Sequence, residues 1–460
     1  MFKDNLEDTI CAISTAQGEG GIGIVRVSGR RALAIADKIF SHPGKEKPSG
    51  FKSYSMHYGK IVNNGKIIDE VILSVMRKPK SYTREDVVEI NCHGGALPLR
   101  QVLELALESG ARMACPGEFT KRAFLNGRID LAQAEAVIDI IRAKTDSALK
   151  VSLEQLSGGL SKEINKIRKN LVDVLVGMDA AIDFPEEAIE QKDRQKILTV
   201  LDETAKNLNR LLDGSSSARM LREGIHTVIC GLPNVGKSSL LNALLKKERS
   251  IVTSVPGTTR DAIEESLDIR GIPVKIVDTA GILKPRDLIE KKAVLRSRER
   301  IKQADLIIIM FDSGRRLCAG DFKLIKEVKN KKTIAVINKI DLKPRIEKEK
   351  ISKLFSEVVE VCAKKSKGIG LLENAFLDFV YKGKLKSPEF MLVSNLRHIR
   401  ALKDAKKMID QAKSALTEKL PPEFIAQDLK DACVHLDVIL GRSFPEEILE
   451  RIFADFCIGK

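Results

Sequence analysis

Several residue types and spacings that mark particular protein classes are scarce or absent in this chain of 460 residues. It has no tryptophan and only four tyrosines, which argues against RNA-binding modules that stack bases on aromatic side chains. Its eight cysteines form no C-x-x-C pair and show no zinc-finger spacing with histidine, so neither a disulfide framework nor a zinc site is predicted. Most of these thiols are expected to be buried.

Long apolar runs are also missing. The longest runs, such as Leu306 to Phe311, fall far short of the ~20 residues that a membrane-spanning helix requires. The first residues, Met1 to Asp8, include acidic side chains where a signal or transit peptide would not have them. These features predict a cytoplasmic protein without a membrane segment.

The chain has fewer acidic than basic residues. The 78 Lys and Arg residues exceed the 63 Asp and Glu residues and give a formal net charge of +15. This balance suits a polyanionic partner such as RNA. Lysine runs at 329–332, 364–367 and 382–386 fit that partner, although runs of this kind are commonly solvated faces.

The most informative segment that is present is Gly231-Leu-Pro-Asn-Val-Gly-Lys-Ser238, which fits the phosphate-loop pattern G-x-x-x-x-G-K-[ST]. It lies between a predicted strand, His226 to Cys230, and a predicted helix, Lys237 to Leu245. Glycines let backbone N–H groups turn toward phosphates, and the N-terminus of the helix favours negative charge. Lys237 is expected to contact the outer phosphates and Ser238 a Mg²⁺ ion. On this motif alone, a glycine-rich turn without a ligand is the alternative.

Two further segments follow predicted strands. Pro273 to Val277 leads into Asp278-Thr-Ala-Gly281, where an acidic side chain can reach the metal's water shell and a glycine amide can contact the terminal phosphate. Thr333 to Ile337 leads into Asn338-Lys-Ile-Asp341. The Asp341 carboxylate can accept hydrogen bonds from the N1–H and the exocyclic amine of guanine, which adenine does not offer. The predicted nucleotide is therefore GTP.

Other positions around this site depart from the common pattern. Gly257-Thr-Thr-Arg-Asp261 lies where a switch segment should supply a threonine to Mg²⁺, and Cys362-Ala-Lys364 follows a predicted strand where a base-contacting loop is expected. G domains usually have serine at the first of the latter three positions, so Cys362 is expected to weaken one hydrogen bond. Ile282 stands where a Ras-like enzyme has the glutamine that orients water, and no arginine finger is visible.

Hydrophobic periodicity divides the rest of the chain. Residues 1–119 mix short strands, turn-rich loops and one helix, which is an α+β pattern. From Asp130, a predicted N-cap paired with Gln133 in a capping box, the pattern becomes helical. Asp213-Gly-Ser-Ser-Ser217 is predicted to be a connecting segment. Apolar residues at every third or fourth position predict long helices over Ile164 to Ile182, Ile197 to Leu212 and Leu392 to Leu416, with two shorter helices after the last.

These motifs and others along the whole chain closely resemble the MnmE (TrmE) family of tRNA-modification GTPases. The other matching segments are Gly20 to Arg26, Glu85 to Glu89 with His93-Gly-Gly95, Pro116 to Ala136, Ala181 to Glu187, and Cys457-Ile-Gly-Lys460. The resemblance implies a Ras-like P-loop G domain with a mixed, mostly parallel sheet, inserted in a helical domain and preceded by an α+β tetrahydrofolate-binding domain. The implied boundaries are 1–119 for the folate-binding and dimerisation domain, 120–221 and 382–460 for the two parts of the helical domain, and 222–381 for the G domain.

The resemblance also implies the residues of the nucleotide site. Catalysis would depend on Lys237 and on Glu290, which would position water, and the alternative for Glu290 is a solvated helix glutamate. Mg²⁺ would be held by Ser238 and Thr259. A K⁺ ion would replace the missing arginine finger, held by Asn234, Thr253, Val255 and Thr258. The implied GTP contacts are Asn234, Val235, Gly236, Lys237, Ser238, Ser239, Thr253, Ser254, Val255, Pro256, Gly257, Thr258, Thr259, Asp278, Thr279, Ala280, Gly281, Asn338, Lys339, Asp341, Cys362, Ala363 and Lys364.

For the N-terminal module the resemblance implies 5-formyl- or methylene-tetrahydrofolate, bound by Arg26, Glu89, Arg128 and Lys460. Arg128 stands where many members have lysine. Basic side chains suit the folate's glutamate carboxylates, and Glu89 can accept hydrogen bonds from the pterin; a surface arginine and a helix-capping acid are the alternatives. Cys457 is a candidate nucleophile, or else a small buried residue that secures the C-terminus.

The implied reaction modifies the wobble uridine of certain tRNAs at C5, adding a carboxymethylaminomethyl or aminomethyl group. The implied partners are a second copy of the chain, tRNA, and the flavoprotein MnmG (GidA), on which FAD and NADH would supply reducing equivalents. The rival hypothesis is a nucleotide-dependent switch in RNA or ribosome assembly, similar to Era or Der, without covalent chemistry. A KH-type GXXG loop would favour that rival, whereas the N-terminal module and the Cys457 to Lys460 tail favour the modification enzyme.

Overall fold

The computed structural model describes residues 7–16, 18–183, 191–247, 265–278, 299–381, 393–443 and 446–460. The chain divides into two compact units, a terminal unit of Met1–Ile138 with Val434–Lys460 and a central unit of Asp139–Cys433. Among the described residues, no helix is both long and apolar enough to cross a membrane. The described helices are α1 Ala32–Ile39, α2 Ala96–Glu108, α3 Glu118–Leu125, α4 Leu131–Arg142, α5 Asp146–Leu156, α6 Gly159–Asp183, α7 Gln191–Asp213, α8 Ser215–Glu223, α9 Lys237–Lys247, α10 Ala319–Val328, α11 Lys348–Leu354, α12 Ile369–Tyr381, α13 Leu396–Thr417, α14 Pro422–Leu440 and α15 Glu446–Ala454.

A seven-stranded sheet is the framework of the terminal unit, in the order β3-β4-β5-β6-β2-β1-β7. Neighbouring strands are antiparallel, except that β1 and β7 are parallel. Apolar residues alternate along β2, β5 and β6 and pack one face of the sheet against α1 and α2. Because side chains alternate between faces, Arg26 and Glu89 lie on the opposite face. The strands are β1 Ile10–Ile13, β2 Gly20–Ser28, β3 Phe40–Ser41, β4 Ser55–Asn63, β5 Lys66–Met76, β6 Val87–Gly94 and β7 Arg112–Met113.

The N-terminus of α4 confirms the predicted capping box. Asp130 Oδ1 accepts a hydrogen bond from the backbone N–H of Gln133 at 2.9 Å, and Gln133 Oε1 accepts one from the backbone N–H of Asp130 at 3.0 Å. Two N–H groups that the first helical turn leaves without partners are thereby satisfied.

A buried ionic network lies beside the apolar core of the terminal unit. The Arg122 side chain is 2% exposed and forms ion pairs with Asp8, with Glu85 at 3.0 Å and with Glu118 at 3.0 Å. Arg112 also pairs with Glu118, at 2.6 Å. Burial alone would raise the pKa of the Glu118 carboxyl, but the hydrogen bonds and charges of the two arginines hold it below its usual value. Sequence analysis did not predict this network.

The central unit contains a six-stranded sheet in the order β13-β12-β11-β8-β10-β9. All neighbours are parallel except β9 and β10, which form an antiparallel hairpin. Leu306 to Phe311 are all buried, as expected for a parallel strand that is covered on both faces. The predicted mixed, mostly parallel G-domain sheet is confirmed. Its strands are β8 Ile225–Gly231, β9 Glu265–Ile269, β10 Ile272–Asp278, β11 Leu306–Asp312, β12 Thr333–Asn338 and β13 Glu357–Glu360.

Helices from both sides of this sheet in the sequence pack together. Arg194 of α7 donates from Nη1 to the carbonyl oxygen of Leu416 of α13 at 3.4 Å, and Lys413 of α13 forms an ion pair with Asp202 of α7. Because α7 precedes the sheet and α13 follows it, the G domain is inserted into a helical assembly, as the resemblance implied. The finer domain boundaries stay a prediction.

The predicted connecting segment Asp213 to Ser217 is wrong. Only Gly214 separates α7 from α8, and Ser215 and Ser217 are helical. The Ser217 hydroxyl donates to the Val380 carbonyl oxygen at 2.7 Å, and the apolar residues of α8 join the core under the sheet. Tertiary packing here overrides the turn preference of a Gly-Ser run. Leu392, predicted at the start of the third long helix, lies outside the described residues.

Candidate functional site

The phosphate loop connects the carboxyl end of β8 to the N-terminus of α9. Gly231 and Gly236 have backbone φ values of 153° and 100°, which L side chains rarely adopt. A Cβ atom at Gly231 would lie 2.7 Å from the Met310 carbonyl oxygen, and one at Gly236 would overlap Asn338 Nδ2. Both motif glycines are therefore required by the backbone and by close neighbours. The sequence pattern corresponds to a loop whose shape depends on them.

Lys237 is the first residue of α9, and its ammonium group turns back over the loop. Nζ donates to the carbonyl oxygens of Gly231 at 3.0 Å and Leu232 at 3.1 Å. Ser238 and Ser239, the next two residues of the helix, are exposed. A cationic group and a helix N-terminus at one glycine-rich loop make a cradle that suits phosphate oxygens and, through a serine hydroxyl, a bound Mg²⁺ ion.

Asn338 joins the phosphate loop to the predicted base-contacting loop. Its side chain is 2% exposed. Nδ2 donates to the Val235 carbonyl oxygen at 2.8 Å, and Oδ1 accepts from the backbone N–H of Ala363 at 3.0 Å. One amide thus fixes the distance between two loops that are more than a hundred residues apart in the sequence.

Lys339 makes a second connection to the phosphate loop, through a residue that sequence analysis missed. Its Nζ donates to the Asn234 carbonyl oxygen at 2.6 Å and to Asp312 Oδ2 at 2.7 Å. Asp312 ends β11 directly beside Asn338 on β12. An acid at the carboxyl end of an apolar strand was the available signal, because Asp278 follows β10 in the same way.

Asp341 and Cys362 lie together at the base-contacting loop. The pKa of the Asp341 carboxyl is below its usual value, chiefly because the Cys362 thiol hydrogen-bonds to it, and also because Lys365 is nearby, at 3.5 Å. The carboxylate is therefore ionised at neutral pH, as an acceptor for guanine must be. Cys362 is buried, Ala363 begins a short 3₁₀ turn and Lys364 is exposed. The thiol supports the aspartate in the place where a serine is usual.

The remaining predicted nucleotide contacts fall largely outside the described residues. Asp278 ends β10 opposite Ile229 of β8, so its backbone lies at the same sheet edge as the phosphate loop. The rest stay predictions. Those outside the described residues are Thr253, Ser254, Val255, Pro256, Gly257, Thr258, Thr259, Thr279, Ala280, Gly281 and Glu290.

In the terminal unit, Arg26 connects strand and C-terminus. It stands opposite Glu89 across β2 and β6, and its Nε donates to Glu89 Oε1 at 2.7 Å. Its Nη1 donates to the carbonyl oxygen of Gly459 at 3.1 Å. Gly459 has φ 92°, and a Cβ atom there would overlap the Ile13 carbonyl oxygen. The C-terminal residues therefore lie beside the Arg26–Glu89 ion pair. Lys460 directly follows Gly459 in the sequence.

Arg128 contacts Tyr82, whose ring also lies near Arg26. Its Nη1 donates to the Tyr82 carbonyl oxygen at 3.2 Å, and its guanidinium carbon lies 4.7 Å from the centroid of the Tyr82 ring. The guanidinium carbon of Arg26 lies 5.8 Å from that centroid. The structure thus brings all four predicted folate-binding positions to one locality. Sequence analysis missed Tyr82, because a tyrosine in a polar segment carries no distinguishing pattern.

Cys457 is exposed, so the alternative of a buried packing residue is wrong. Its neighbours Phe453 and Phe456 are buried instead and pack near α3. The carbonyl oxygen of Cys457 accepts a hydrogen bond from the backbone N–H of Gly117 at 3.4 Å. The backbone of the tail is held while the thiol faces solvent. With five of the eight cysteines buried, the expectation that most are buried is confirmed.

Two family models match the chain, the MnmE helical domain over residues 131–457 and the GTP-binding protein TrmE N-terminus over residues 9–128. The chain is 48% identical over 457 residues to the tRNA modification GTPase MnmE of Clostridioides difficile, covering 99% of this chain and 100% of that protein. The protein of the same name from Bacillus subtilis is 44% identical over 458 residues, with 98% and 100% covered. A solved structure of a variant of Aquifex aeolicus Era bound to GDP.AlF4- matches 40% of this chain and 65% of that chain at 30% identity, with a TM-score of 0.29. That TM-score is too low to support a statement about the fold.

Proposed function

The chain belongs to the MnmE family of tRNA modification GTPases, and from that premise we propose that it couples K⁺-dependent GTP hydrolysis to folate-dependent modification of the wobble uridine of certain tRNAs. The GTPase reaction takes place in the central unit. The carbon-transfer chemistry takes place in the terminal unit, at the cluster around Arg26. This cluster consists of Arg26, Tyr82, Glu89, Arg128 and the tail residues Gly459 and Lys460. The two parts of this proposal depend on different observations.

The nucleotide site uses GTP and Mg²⁺. Lys237 contacts the β and γ phosphates, Ser238 and Thr259 hold Mg²⁺, and the ionised carboxylate of Asp341 accepts the two guanine N–H groups. Mg²⁺ neutralises phosphate charge during the transfer. The link that Asn338 makes between the Val235 carbonyl and the Ala363 amide supports this assignment, since it fixes the phosphate and base segments at one separation. A preformed spacing lowers the ordering cost of binding.

A K⁺ ion takes the place of the arginine finger. Asn234, Thr253, Val255 and Thr258 hold it, and Glu290 positions the attacking water. K⁺ supplies positive charge where negative charge develops between the β and γ phosphates. Asn234 supports the assignment, because its backbone has φ 64° and its carbonyl oxygen is held by Lys339, so the position from which its amide projects is fixed. GTP turnover should fall strongly when Na⁺ replaces K⁺, and equal initial rates in the two salts would contradict the cation's role.

The observation that carries the folate assignment is the convergence around Arg26. Arg26, Glu89 and Gly459 are far apart in the sequence, yet the Arg26 guanidinium group donates hydrogen bonds to both of the other residues. Glu89 presents a carboxylate for the pterin's N–H groups, while Arg128 and Lys460 supply positive charge for the glutamate carboxylates. The ligand is methylene-tetrahydrofolate, which carries the carbon as a methylene group, or 5-formyltetrahydrofolate, whose more oxidised carbon would have to be reduced by the NADH-reduced flavin before it is transferred as a methylene group. Cys457 is a candidate nucleophile on the exposed tail.

The partners follow from the same family assignment. We propose a homodimer that acts in the cytoplasm on tRNA together with the flavoprotein MnmG (GidA), whose FAD, once reduced by NADH, supplies reducing equivalents. An exposed apolar patch on the β4–β5 hairpin supports the homodimer, because its side chains are 43% to 67% exposed and contiguous patches of this kind mark interfaces. The patch consists of Tyr54, Met56, Tyr58, Ile67 and Ile72. The net charge of +15 supports tRNA as a binding partner, because tRNA is a polyanion.

The test of this function is transfer of a labelled carbon. The purified protein is incubated with tRNA, GTP, the flavoprotein, NADH, a nitrogen donor and tetrahydrofolate that carries a ¹³C one-carbon unit. Nucleoside mass spectrometry should find the label in the side chain at C5 of the modified uridine. Efficient modification without incorporation of the label would contradict folate as the carbon source.

A further inference from the structure

Among the residues around Arg26, Tyr82 has a side chain that is held in position by a hydrogen bond to helix α3. It is partly buried, and its hydroxyl is within 2.9 Å of Thr120 Oγ1. Thr120 is fully buried in α3. The ring is therefore fixed at its far end, and its position does not depend on a ligand.

Two guanidinium groups lie against this fixed ring. The distance from the ring centroid is 4.7 Å for the Arg128 guanidinium carbon and 5.8 Å for that of Arg26. Both distances are within the ~6 Å over which the ring quadrupole attracts a cation. The Tyr82 carbonyl oxygen also accepts a hydrogen bond from Arg128. Backbone and ring of one residue together orient Arg128, whose side chain is otherwise exposed.

The donors of the two arginines are used differently. Arg26 donates one hydrogen bond from Nε to Glu89 and one from Nη1 to the carbonyl oxygen of Gly459. Within the part of the chain that the structure describes, the Arg128 side chain makes one hydrogen bond, to the Tyr82 carbonyl oxygen, and no ion pair. A guanidinium group held on an aromatic ring keeps its other N–H donors in its own plane, where they match a carboxylate bidentately. Arg128 is thus the group that is positioned for an incoming carboxylate.

We infer that Tyr82 is a positioning residue that orients Arg128 beside Arg26, so that the site selects folates that carry the glutamate moiety over pteroates that lack it. This inference rests on the proposed folate function. Lysine at position 128 could not reproduce the arrangement, because an ammonium group is a point charge without a planar face. The arginine of this chain and the Tyr82 ring therefore act as one unit.

The test compares two ligands that differ only in the glutamate, 5-formyltetrahydrofolate and 5-formyltetrahydropteroate. Binding to the full-length protein is measured by equilibrium dialysis. The unsubstituted protein should bind the folate at least ~10-fold more tightly than the pteroate. In Tyr82→Leu the Kd for the folate should rise ~5- to 10-fold while the Kd for the pteroate changes less than ~2-fold. Tyr82→Phe keeps the ring and should retain the preference.

Arg128→Lys is the matched variant, because residue 128 is exposed and the substitution keeps the charge. It should lose the folate preference as Tyr82→Leu does, and it decides the matter if Tyr82→Leu does not fold. Retention of the full preference in Arg128→Lys, or equal weakening of both ligands in a folded Tyr82→Leu, would overturn the inference. Equal binding of both ligands by the unsubstituted protein would overturn it while leaving the folate function intact. Failure of that protein to bind either ligand would remove the folate function and the inference together.

Discussion

The nucleotide site of the central unit and the cluster around Arg26 in the terminal unit are assembled in opposite ways. The predicted nucleotide site lies at the carboxyl edge of a mostly parallel sheet, and its described parts are short contiguous motifs at the ends of strands β8, β10, β12 and β13. The Arg26 cluster lies on the face of an antiparallel sheet and takes single residues from β2, β6, the segment at Tyr82 and the C-terminal tail. The first depends on local backbone shape, and the second on long-range register.

The two units also differ in how they bury charge. In the central unit, strand β11 is apolar from Leu306 to Phe311, and the buried acid Asp321 pairs with an arginine that is 33% exposed. The terminal unit buries the Arg122 network, with an arginine 2% exposed among three acids. A local apolar frame tolerates loss of a single polar contact, whereas a buried charge network leaves uncompensated charges when one member is removed.

Removal of Arg122 should have the largest effect. Arg122→Met leaves Asp8, Glu85 and Glu118 without their shared cation, and we expect the free energy of unfolding of the terminal unit to fall by about 3–5 kcal/mol. Tyrosine fluorescence during urea denaturation reports mainly on this unit, because Tyr54, Tyr58 and Tyr82 lie in it. Arg315→Met is the control in the central unit, where Arg315 pairs with buried Asp321 but is itself 33% exposed. Its unfolding is followed by far-ultraviolet circular dichroism, because only Tyr381 of the four tyrosines lies in the central unit. An equal loss in the two variants would break the contrast.

Loss of the phosphate-loop ammonium should be next in size. Lys237→Ala is expected to lower kcat/KM for GTP about 100- to 1,000-fold, because the charge of the transferring phosphoryl group loses its fixed counter-charge. The Kd for 5-formyltetrahydrofolate should not change, because the proposed folate site consists of residues of the terminal unit. Lys323→Ala, an exposed lysine of α10, is the control. Wild-type GTP turnover in Lys237→Ala would contradict the role of this residue.

The base preference should respond to Asp341. Asp341→Asn replaces an acceptor with a group that suits the C2 carbonyl of xanthine, so kcat/KM for GTP should fall about 100-fold while that for xanthosine triphosphate rises. Competition between the two nucleotides measures the change. The pKa of the Asp341 carboxyl is lowered by the Cys362 thiol, so Cys362→Ala should give a smaller loss for GTP. A strict preference for GTP in Asp341→Asn would argue that other groups read the base.

Acid should weaken the terminal unit by the smallest of these effects. The Glu118 carboxyl has a folded-state pKa below its usual value of 4.5. Its contribution to stability is therefore complete above about pH 4.5 and is lost as the pH falls through the lowered pKa. The urea midpoint followed by tyrosine fluorescence should stay level from pH 6 to about pH 4.5 and fall between pH 4.5 and pH 3. Glu118→Gln should be less stable at pH 7 and lose less on acidification, whereas Glu104→Gln, at an exposed position, should titrate as the unsubstituted protein does.

The contrast explains what the sequence could predict. The strand, loop and helix around Gly231 to Ser238, the predicted guanine-binding segment Asn338 to Asp341 and the Asp130 capping box are local patterns, so their positions follow from spacing alone. The Asp213 to Ser217 segment was predicted wrongly because packing under the sheet, and not local preference, decides its conformation. Asp312, Tyr82 and the Arg122 network acquire their roles only through partners that are distant in the sequence. For the cluster around Arg26, family resemblance supplied the positions that no local pattern could.

The central claim is that GTP hydrolysis in one unit is required for folate-dependent carbon transfer in the other. The most direct measurement is the yield of modified wobble uridine in the complete reaction with tRNA, folate and the flavoprotein, determined by nucleoside mass spectrometry with the Lys237→Ala variant beside the unsubstituted protein. We predict that modification requires both folate and hydrolysable GTP, and that Lys237→Ala yields almost none although it binds folate normally. Full modification by Lys237→Ala, or by the unsubstituted protein with a GTP analogue that cannot be hydrolysed, would contradict the claim.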